Sequence, residues 1–337
     1  MKKVITLGEI MLRLSPPNRD KFLGASNFCV NYGGGEANVA VALANFGIET
    51  GFISKLPNNE IGDSAINHLR SFGVDTKSVV RGGERVGIYF LENGFSVRNS
   101  KVIYDRKDSA IATAKVSDFE IESILKGWDI LHVSGITLGI SNDGFEFSKA
   151  FMKKAKELGM EISFDFNYRS KLWSLEEASA KIKEILQYVD IAFAGHLDFT
   201  NILGITPTKL MKEIDIITYY KDLYPKVKKK YGFKYIVSSI RDIKSASNNT
   251  YKGICYDGQS IYQSKSYEVE IIDRVGTGDA YTAGFLCGYA MERDTLNTVN
   301  IAAASSVLKH TILGDANLVK LDEVENLFKN DSFEIVR

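Results

Sequence analysis

The sequence predicts an α/β fold: a doubly wound, mostly parallel sheet carrying a small separate β lid. Three observations predict it. From about residue 117 onward, apolar runs of strand length alternate with segments whose apolar residues recur at three-to-four spacing. Two earlier stretches, 10–32 and 84–106, replace that alternation with aromatic and β-branched runs joined by turn residues, with no helix between them. Two glycine clusters, at 33–35 and 276–278, each open a run of small residues that reads as a helix.

In chain order, KVITLGEI is a short apolar strand. MLRLSP and FCVNY form the first ribbon of the lid. GGGEANVAVALANFG follows as a glycine run and a helix, ended by Gly47 as a C-terminal cap. VGIYFLENG and KVIYDR form the second ribbon, with Asn93-Gly94 as a turn. WDILHVSG, MEISFDF, VDIAFAG and FKYIVSSI are then buried strands, while FSKAFMKKAKELG and LEEASAKIKEILQYV have the pattern of covering helices. The expected division is a lid of residues 10–32 and 84–106 over a large α/β domain of residues 1–9, 33–83 and 107–337. Ligands are expected at the strand ends of that domain.

Forty-two basic and forty-two acidic side chains cancel, so no global field favours nucleic acid or an anionic membrane, and any anion must be held locally. No stretch approaches the ~18 apolar residues of a membrane span. The first residues carry Glu9 and Arg13 within their apolar stretch and no small-residue cleavage site, so a signal peptide is not expected. Cys29, Cys255 and Cys287 lack paired spacing and read as buried thiols of a cytoplasmic protein. The four histidines have no metal-ligand spacing, and Lys228–Lys230 read as a solvated helix face.

The chemistry concentrates in DRVGTGDAYTAGF, residues 273–285. Gly276, Thr277 and Gly278 at a helix mouth offer approachable N–H groups and the positive end of the helix dipole, which together make an anion site. The segment is not a P-loop, since no Gly-Lys-Ser/Thr follows, and Tyr281 stands where a dinucleotide fingerprint needs glycine. Asp279 then has two readings. It is a helix cap, or it is a base that accepts a proton from an attacking hydroxyl beside a transferring phosphoryl.

With these residues in view, the chain resembles the ribokinase-like (PfkB) carbohydrate kinases. GGGEANVAVALANFG is similar to their N-terminal motif and DRVGTGDAYTAGF to their C-terminal motif, and the resemblance spans essentially the whole chain. It implies a Rossmann-like domain, a β lid over a sugar, and transfer of the ATP γ-phosphoryl to a sugar hydroxyl with Mg²⁺. It assigns Asp279 as catalytic base, Gly276, Thr277 and Gly278 as anion hole, and Gly34 and Asn38 as sugar contacts.

VIYDRKDSA at 102–110 and FDFNYRSKLW at 164–173 resemble the 2-keto-3-deoxygluconate kinases of that family. An acid sugar brings a carboxylate, and arginine's paired donors suit it. The resemblance therefore implies Arg106 and Arg169 as carboxylate ligands, with Tyr89, Tyr104 and Asp315 as further acceptor contacts. Taken without it, the arginines read as surface charges or ion pairs, the tyrosines as a cross-strand pair and Asp315 as a turn residue. Asn167, after the MEISF strand, is an ATP contact or part of an Asx turn.

Two stretches depart from the family pattern. GHLDF replaces an Asn-x-x-Glu motif, leaving Asp198 as the candidate for binding Mg²⁺ through water. VSSIRDIKSASNN puts Ser239 and Arg241 where a glycine-containing nucleotide loop is expected. The leading expectation is ATP-dependent phosphorylation of a sugar acid, 2-keto-3-deoxygluconate to its 6-phosphate. Fructose, ribose or nucleoside kinases are the near alternative and a non-catalytic sugar or nucleotide sensor the distant one. Exposed lid edges predict a homo-oligomer through the lid.

Overall fold

The computed structural model describes residues 1–209 and 213–329. Its strands, in chain order, are β1 (Val4–Leu7), β2 (Met11–Ser15), β3 (Cys29–Gly33), β4 (Thr50–Leu56), β5 (Val79–Arg81), β6 (Ile88–Glu92), β7 (Lys101–Asp105), β8 (Ile130–Ser134), β9 (Glu161–Asp165), β10 (Ile191–Phe193), β11 (Tyr235–Ile243), β12 (Asn248–Tyr256) and β13 (Ile261–Glu270). A nine-stranded sheet has the order β13-β12-β11-β10-β9-β8-β1-β4-β5, and a four-stranded sheet the order β3-β2-β6-β7. From β5 through β11 every pair in the large sheet is parallel.

Parallel pairing buries both faces, and the strands alternate between two cores accordingly. Ile5, Leu7, Leu131, Val133, Ile162 and Phe164 face one core with Phe151, Ile182 and Tyr224. Val4, Ile130, Ile191, Phe193 and Val237 face the other with Val39, Phe285 and Ala302. The helix Gly35–Asn45 ends as the glycine predicts. Gly47 takes φ 83°, while Ile48 N–H donates to Leu43 O and Gly47 N–H to Ala44 O, both at 3.0 Å.

The four strands expected of the lid form the small sheet. β2/β3 and β6/β7 are antiparallel ribbons, and they join through a parallel β2/β6 pair. The chain passes through β4 and β5 of the large sheet before returning to β6, so no hairpin fixes the direction of that central pair. Met11, Tyr89 and Leu91 of the lid pack with Val102 and Val275.

Two expectations are corrected. Cys29 is exposed, at the start of a strand on the lid's edge, whereas Cys255 and Cys287 are buried. The strand FKYIVSSI, which holds Ser239, does not give way to a loop at Arg241. Both residues belong to the nine-residue β11, which continues because β12, antiparallel to it and to β13, supplies hydrogen-bonding partners as far as Ile243. Among the described residues, no helix is long and apolar enough to cross a membrane.

The helices Thr277–Ala290 and Thr295–His310 pack closely at Gly284, where a Cβ would lie 2.7 Å from Ala302 Cα and 2.9 Å from Ile301 O. Gly284→Ala is therefore expected to lower unfolding free energy by about 1–3 kcal/mol, the usual cost of overpacking. Urea denaturation reads it, and an unchanged midpoint would show that this contact does not set the helix spacing.

Candidate active site

The chain leaves β1 towards β4 on one side, and β8, on the other side of β1, leads on to β9. Such a reversal opens a crevice at the carboxyl ends of the strands. Those ends supply Glu9 after β1, Ser134 at the end of β8, Asp165 and Asn167 at and after β9, and Asp198 after β10. The N-termini of the helices Gly35–Asn45 and Thr277–Ala290 enter the same region.

Gly276, in the left-handed region at φ 79°, is the cap position of the second helix. A Cβ there would lie 2.0 Å from Asp315 O, so only glycine fits. Thr277 is buried and its hydroxyl donates to Arg274 O at 3.0 Å. Asp279 does not cap the helix. Its Oδ2 accepts from Asn38 Nδ2 at 2.7 Å, and Asn38 Oδ1 accepts from Gly34 N–H at 3.3 Å. One helix thus aims the carboxylate presented by the other. A Cβ on Gly35 would stand 3.8 Å from both Asp279 Oδ1 and Asn167 Nδ2, which brings those two polar groups to one place. Asp279 is only partly buried. Gly34 is required by close approach, since a Cβ would lie 1.9 Å from Glu9 O.

Three carboxylates here hold protons above the ordinary aspartate range. Burial, then the charges of Asp279 and Asp198, push Asp165 up to about 8 against the opposing pull of Arg169. Burial pushes Asp198 up to about 6, although its Oδ2 accepts from Gly195 N–H at 2.7 Å and Arg169 favours its charge. Burial also raises Asp279 to about 6, with the Asn38 hydrogen bond and Arg169 opposing, and Glu36 and Asp315 adding to the rise. Arg169 is exposed, donates to Tyr168 O at 3.2 Å, and is the cation common to all three acids.

On the lid side, Tyr89 and Tyr104 are register partners with ring centres 6.0 Å apart. Tyr104 is 40% exposed, while Tyr89 is buried and donates its hydroxyl to Asp315 Oδ1. Arg106 lies 5.7 Å over the Tyr104 ring and pairs with Glu9, whose other oxygen accepts from Ser109 at 2.7 Å. Arg106 Nε is buried and without a partner among the described residues. Asn167, at φ 38°, donates its N–H to Asp165 Oδ1 at 3.0 Å, so the Asx turn exists and Asp165 makes it. Arg241 lies 5.8 Å over the Tyr251 ring, and its Nη2 is 3.7 Å from where a Gly278 Cβ would sit. Ser239 is partly buried, opposite Gly253. At the far tip of the lid, Ala246 N–H donates to Ser96 O at 2.9 Å and Ser96 N–H to Ser247 Oγ at 2.8 Å, joining lid and β11–β12 hairpin.

Three groups escaped the sequence reading. Asp165 was passed over for Asn167, yet it ends β9 beside the other acids. Glu36 is buried and accepts from Ser134 N–H (3.0 Å), Ser134 Oγ (2.7 Å) and Thr137 Oγ1 (2.6 Å), which ties the helix Gly35–Asn45 to β8. Its signal is a lone acid in a helix otherwise apolar and small. Arg13 is buried on β2, and the M-L-R-L-S alternation that places it beside Met11 and Ser15 is its signal. Among the described residues, no three His, Cys, Asp or Glu side chains form a metal cage.

Residues 1–319 match the model of the pfkB family carbohydrate kinases. A crystal structure of 2-dehydro-3-deoxygluconokinase from Thermotoga maritima superposes with a TM-score of 0.94 at 42% identity, covering 98% of this chain and 100% of that one. The 2-dehydro-3-deoxygalactonokinase of Haloferax volcanii is 29% identical over 338 residues, 99% of each chain. The 2-dehydro-3-deoxygluconokinase of Thermoproteus tenax is 27% identical over 98% of this chain and 95% of its own.

Raised carboxylates make stability pH-dependent. The folded protein keeps protons that unfolded aspartates release near their ordinary value of 3.8, so stability falls as pH rises from there through about 6 for Asp279 and about 8 for Asp165. Asp165→Asn removes the larger part of this penalty. Its melting temperature in metal-free buffer is expected to exceed the parent's, with a wider gap at pH 8 than at pH 5. A gap independent of pH, read by calorimetry, would show that Asp165 is an ordinary solvated acid.

Proposed function

The chain belongs to the pfkB family of carbohydrate kinases, and from that premise we propose that it transfers the ATP γ-phosphoryl to a terminal hydroxyl of a sugar acid. The acceptor that fits best is 2-keto-3-deoxygluconate, giving its 6-phosphate. One observation carries the reading: the Asp279 carboxylate is aimed by Asn38, partly open, at the mouth of a glycine-capped helix, with its proton affinity raised to about 6. A base poised there is mostly ionised at neutral pH yet basic enough to take a hydroxyl proton in flight.

In this reading the N–H groups at Gly276–Gly278 hold the transferring phosphoryl, and the dipole of Thr277–Ala290 favours its charge. Asp279 takes the proton from the acceptor hydroxyl, while Asn38 and Gly34 hold that carboxylate and the acceptor beside it. Arg241, Ser239 and Asn167 contact ATP, and Arg241 is the best placed because it reaches the Gly278 turn. Positioning and charge stabilisation supply most of the rate. Mg²⁺ fits the donor set, because Asp198 and Asp165 are oxygen ligands whose elevated proton affinity a cation would relieve, and Mg²⁺ needs few protein ligands when phosphates and water complete its shell. When bound it would neutralise charge on the phosphates.

The lid, residues 10–32 and 84–106, covers the acceptor with Tyr89 and Tyr104 and excludes water that would otherwise hydrolyse ATP. Asp315, engaged by Tyr89 and Arg13, keeps lone pairs for an acceptor hydroxyl. Arg169, exposed among three acids, and Arg106, with an unpartnered Nε, bind the acceptor carboxylate. The names of the relatives support an acid sugar. A neutral sugar is the second reading, favoured by Glu9, which already neutralises Arg106.

The lid's outer face suits a second copy of the chain. Val30, Leu14, Phe90 and Ile103 are register neighbours across all four strands, so they form one apolar row, and Val30 and Ile103 are 60% and 56% exposed. Ile103→Glu together with Val30→Glu is expected to convert a dimer to monomer by light scattering. A monomeric parent would remove the proposal.

A coupled assay of ADP release across sugar acids and neutral sugars tests the activity. Turnover is expected with the acid sugar, to fall as pH drops below about 6, and to drop by about 10²–10⁴-fold in Asp279→Asn with acceptor binding retained. Arg169→Ala is expected to raise the acceptor KM, whereas full activity in Arg106→Ala/Arg169→Ala would favour the neutral sugar. An Asp279→Asn protein as active as the parent would overturn the reading.

A further inference from the structure

Arg13 is 1% exposed, on a lid strand, and takes no part in the chemistry above. Each of its three nitrogens donates a hydrogen bond. Nη2 donates to Asp273 Oδ2 at 2.6 Å, Nη1 to Asp315 Oδ2 at 2.9 Å, and Nε to Ser15 Oγ at 2.9 Å. The two acids lie 260 and 302 residues away in sequence.

Each acid shapes a different part of the site. Asp273 Oδ1 accepts from Val275 N–H at 3.0 Å and its Oδ2 from Gly314 N–H at 3.2 Å, so it sets the entry to the turn that carries Gly276–Asp279. Asp315 Oδ1 accepts the hydroxyl of Tyr89 from the adjoining lid strand, and the backbone oxygen of Asp315 fills the space beside Gly276. Val275 packs against the same lid residues. Lys309, also buried, donates to Ile312 O at 2.9 Å and adds a second positive charge within electrostatic reach of both acids.

A buried ion pair is a weak source of stability, because desolvation offsets most of its attraction. This one instead has a geometric consequence: a rigid planar fork holds one acid that shapes the turn and another that holds a lid tyrosine. Lysine, a single point charge, does not reproduce a fork. We infer that Arg13 is a positioning residue that couples the lid to the phosphoryl-transfer turn, so that Tyr89 and the Gly276–Asp279 turn reach their working positions together. The inference rests on the kinase reading of the site.

The test uses the full chain with Arg13→Lys, and separately Arg13→Met combined with Asp273→Asn, which leaves Lys309 with Asp315 and no net charge. Both are assayed for cooperative unfolding, for ATP bound per chain, and for ADP released against acceptor phosphorylated. The expected result is folded protein that binds one ATP per chain, with kcat/KM for the acceptor reduced about 100-fold, the scale of a small misplacement, and ADP released in excess of product. Loss of fold in one variant leaves the other to decide. A folded variant with parental kcat/KM and equal ADP and product overturns the coupling. So does a loss of kcat that merely tracks a lower fraction of ATP-binding chains at unchanged KM. Transfer by the parent upholds the kinase reading whatever the variants do, and its absence removes both.

Discussion

An acid that must accept a proton near neutral pH has to be dry enough to want it and open enough to reach its donor. In Asp279, burial and the neighbouring carboxylates Glu36 and Asp315 raise the affinity for a proton, while the hydrogen bond from Asn38 and the charge of Arg169 hold that rise to about 6. Everything else in the active region is arranged about that balance. Too much burial would leave the group neutral and idle, and full solvation would return it to the ordinary aspartate range, where it is a weak base.

The fold supplies this environment by convergence. Reversal of strand order between β1 and β8 leaves a crevice, and the strand ends beside it bring Asp165 and Asp198 near Asp279. Glu36 anchors the helix carrying Asn38 to the end of β8, so the hydrogen bond that aims Asp279 rests on the central strands and not on a loop. The raised carboxylates cost folding stability as pH rises. That cost is of the kind expected where a cation and phosphates later arrive, and Arg169 offsets only part of it.

Much of this was legible in the residues. The parallel strands from WDILHVSG to FKYIVSSI, the ribbons of the lid and the cap at Gly47 follow from periodicity and from the few residues that tolerate particular backbone angles. The glycine turn announced an anion site because no side chain was needed to make it. The direction of the Asp279 side chain was not legible, since an acid three residues into a helix is as readily a cap, and only the contact with Asn38, 241 residues away, shows that it turns elsewhere. The role of Arg13 was not legible, because its two partners are equally remote. Arg241 was placed in a loop beyond the strand FKYIVSSI because the strand that pairs with it comes later in the chain. Cys29 was expected inside because burial at a sheet edge depends on what covers the edge.

The most direct measurement is an NMR titration of ¹³C-carboxyl-labelled aspartates, compared between the parent and Asp279→Asn in metal-free buffer. The account predicts a resonance, absent from the variant, that titrates near pH 6. If the resonance lost in the variant titrates near the ordinary aspartate value of 3.8, Asp279 is a solvated acid and its assignment as the base is contradicted.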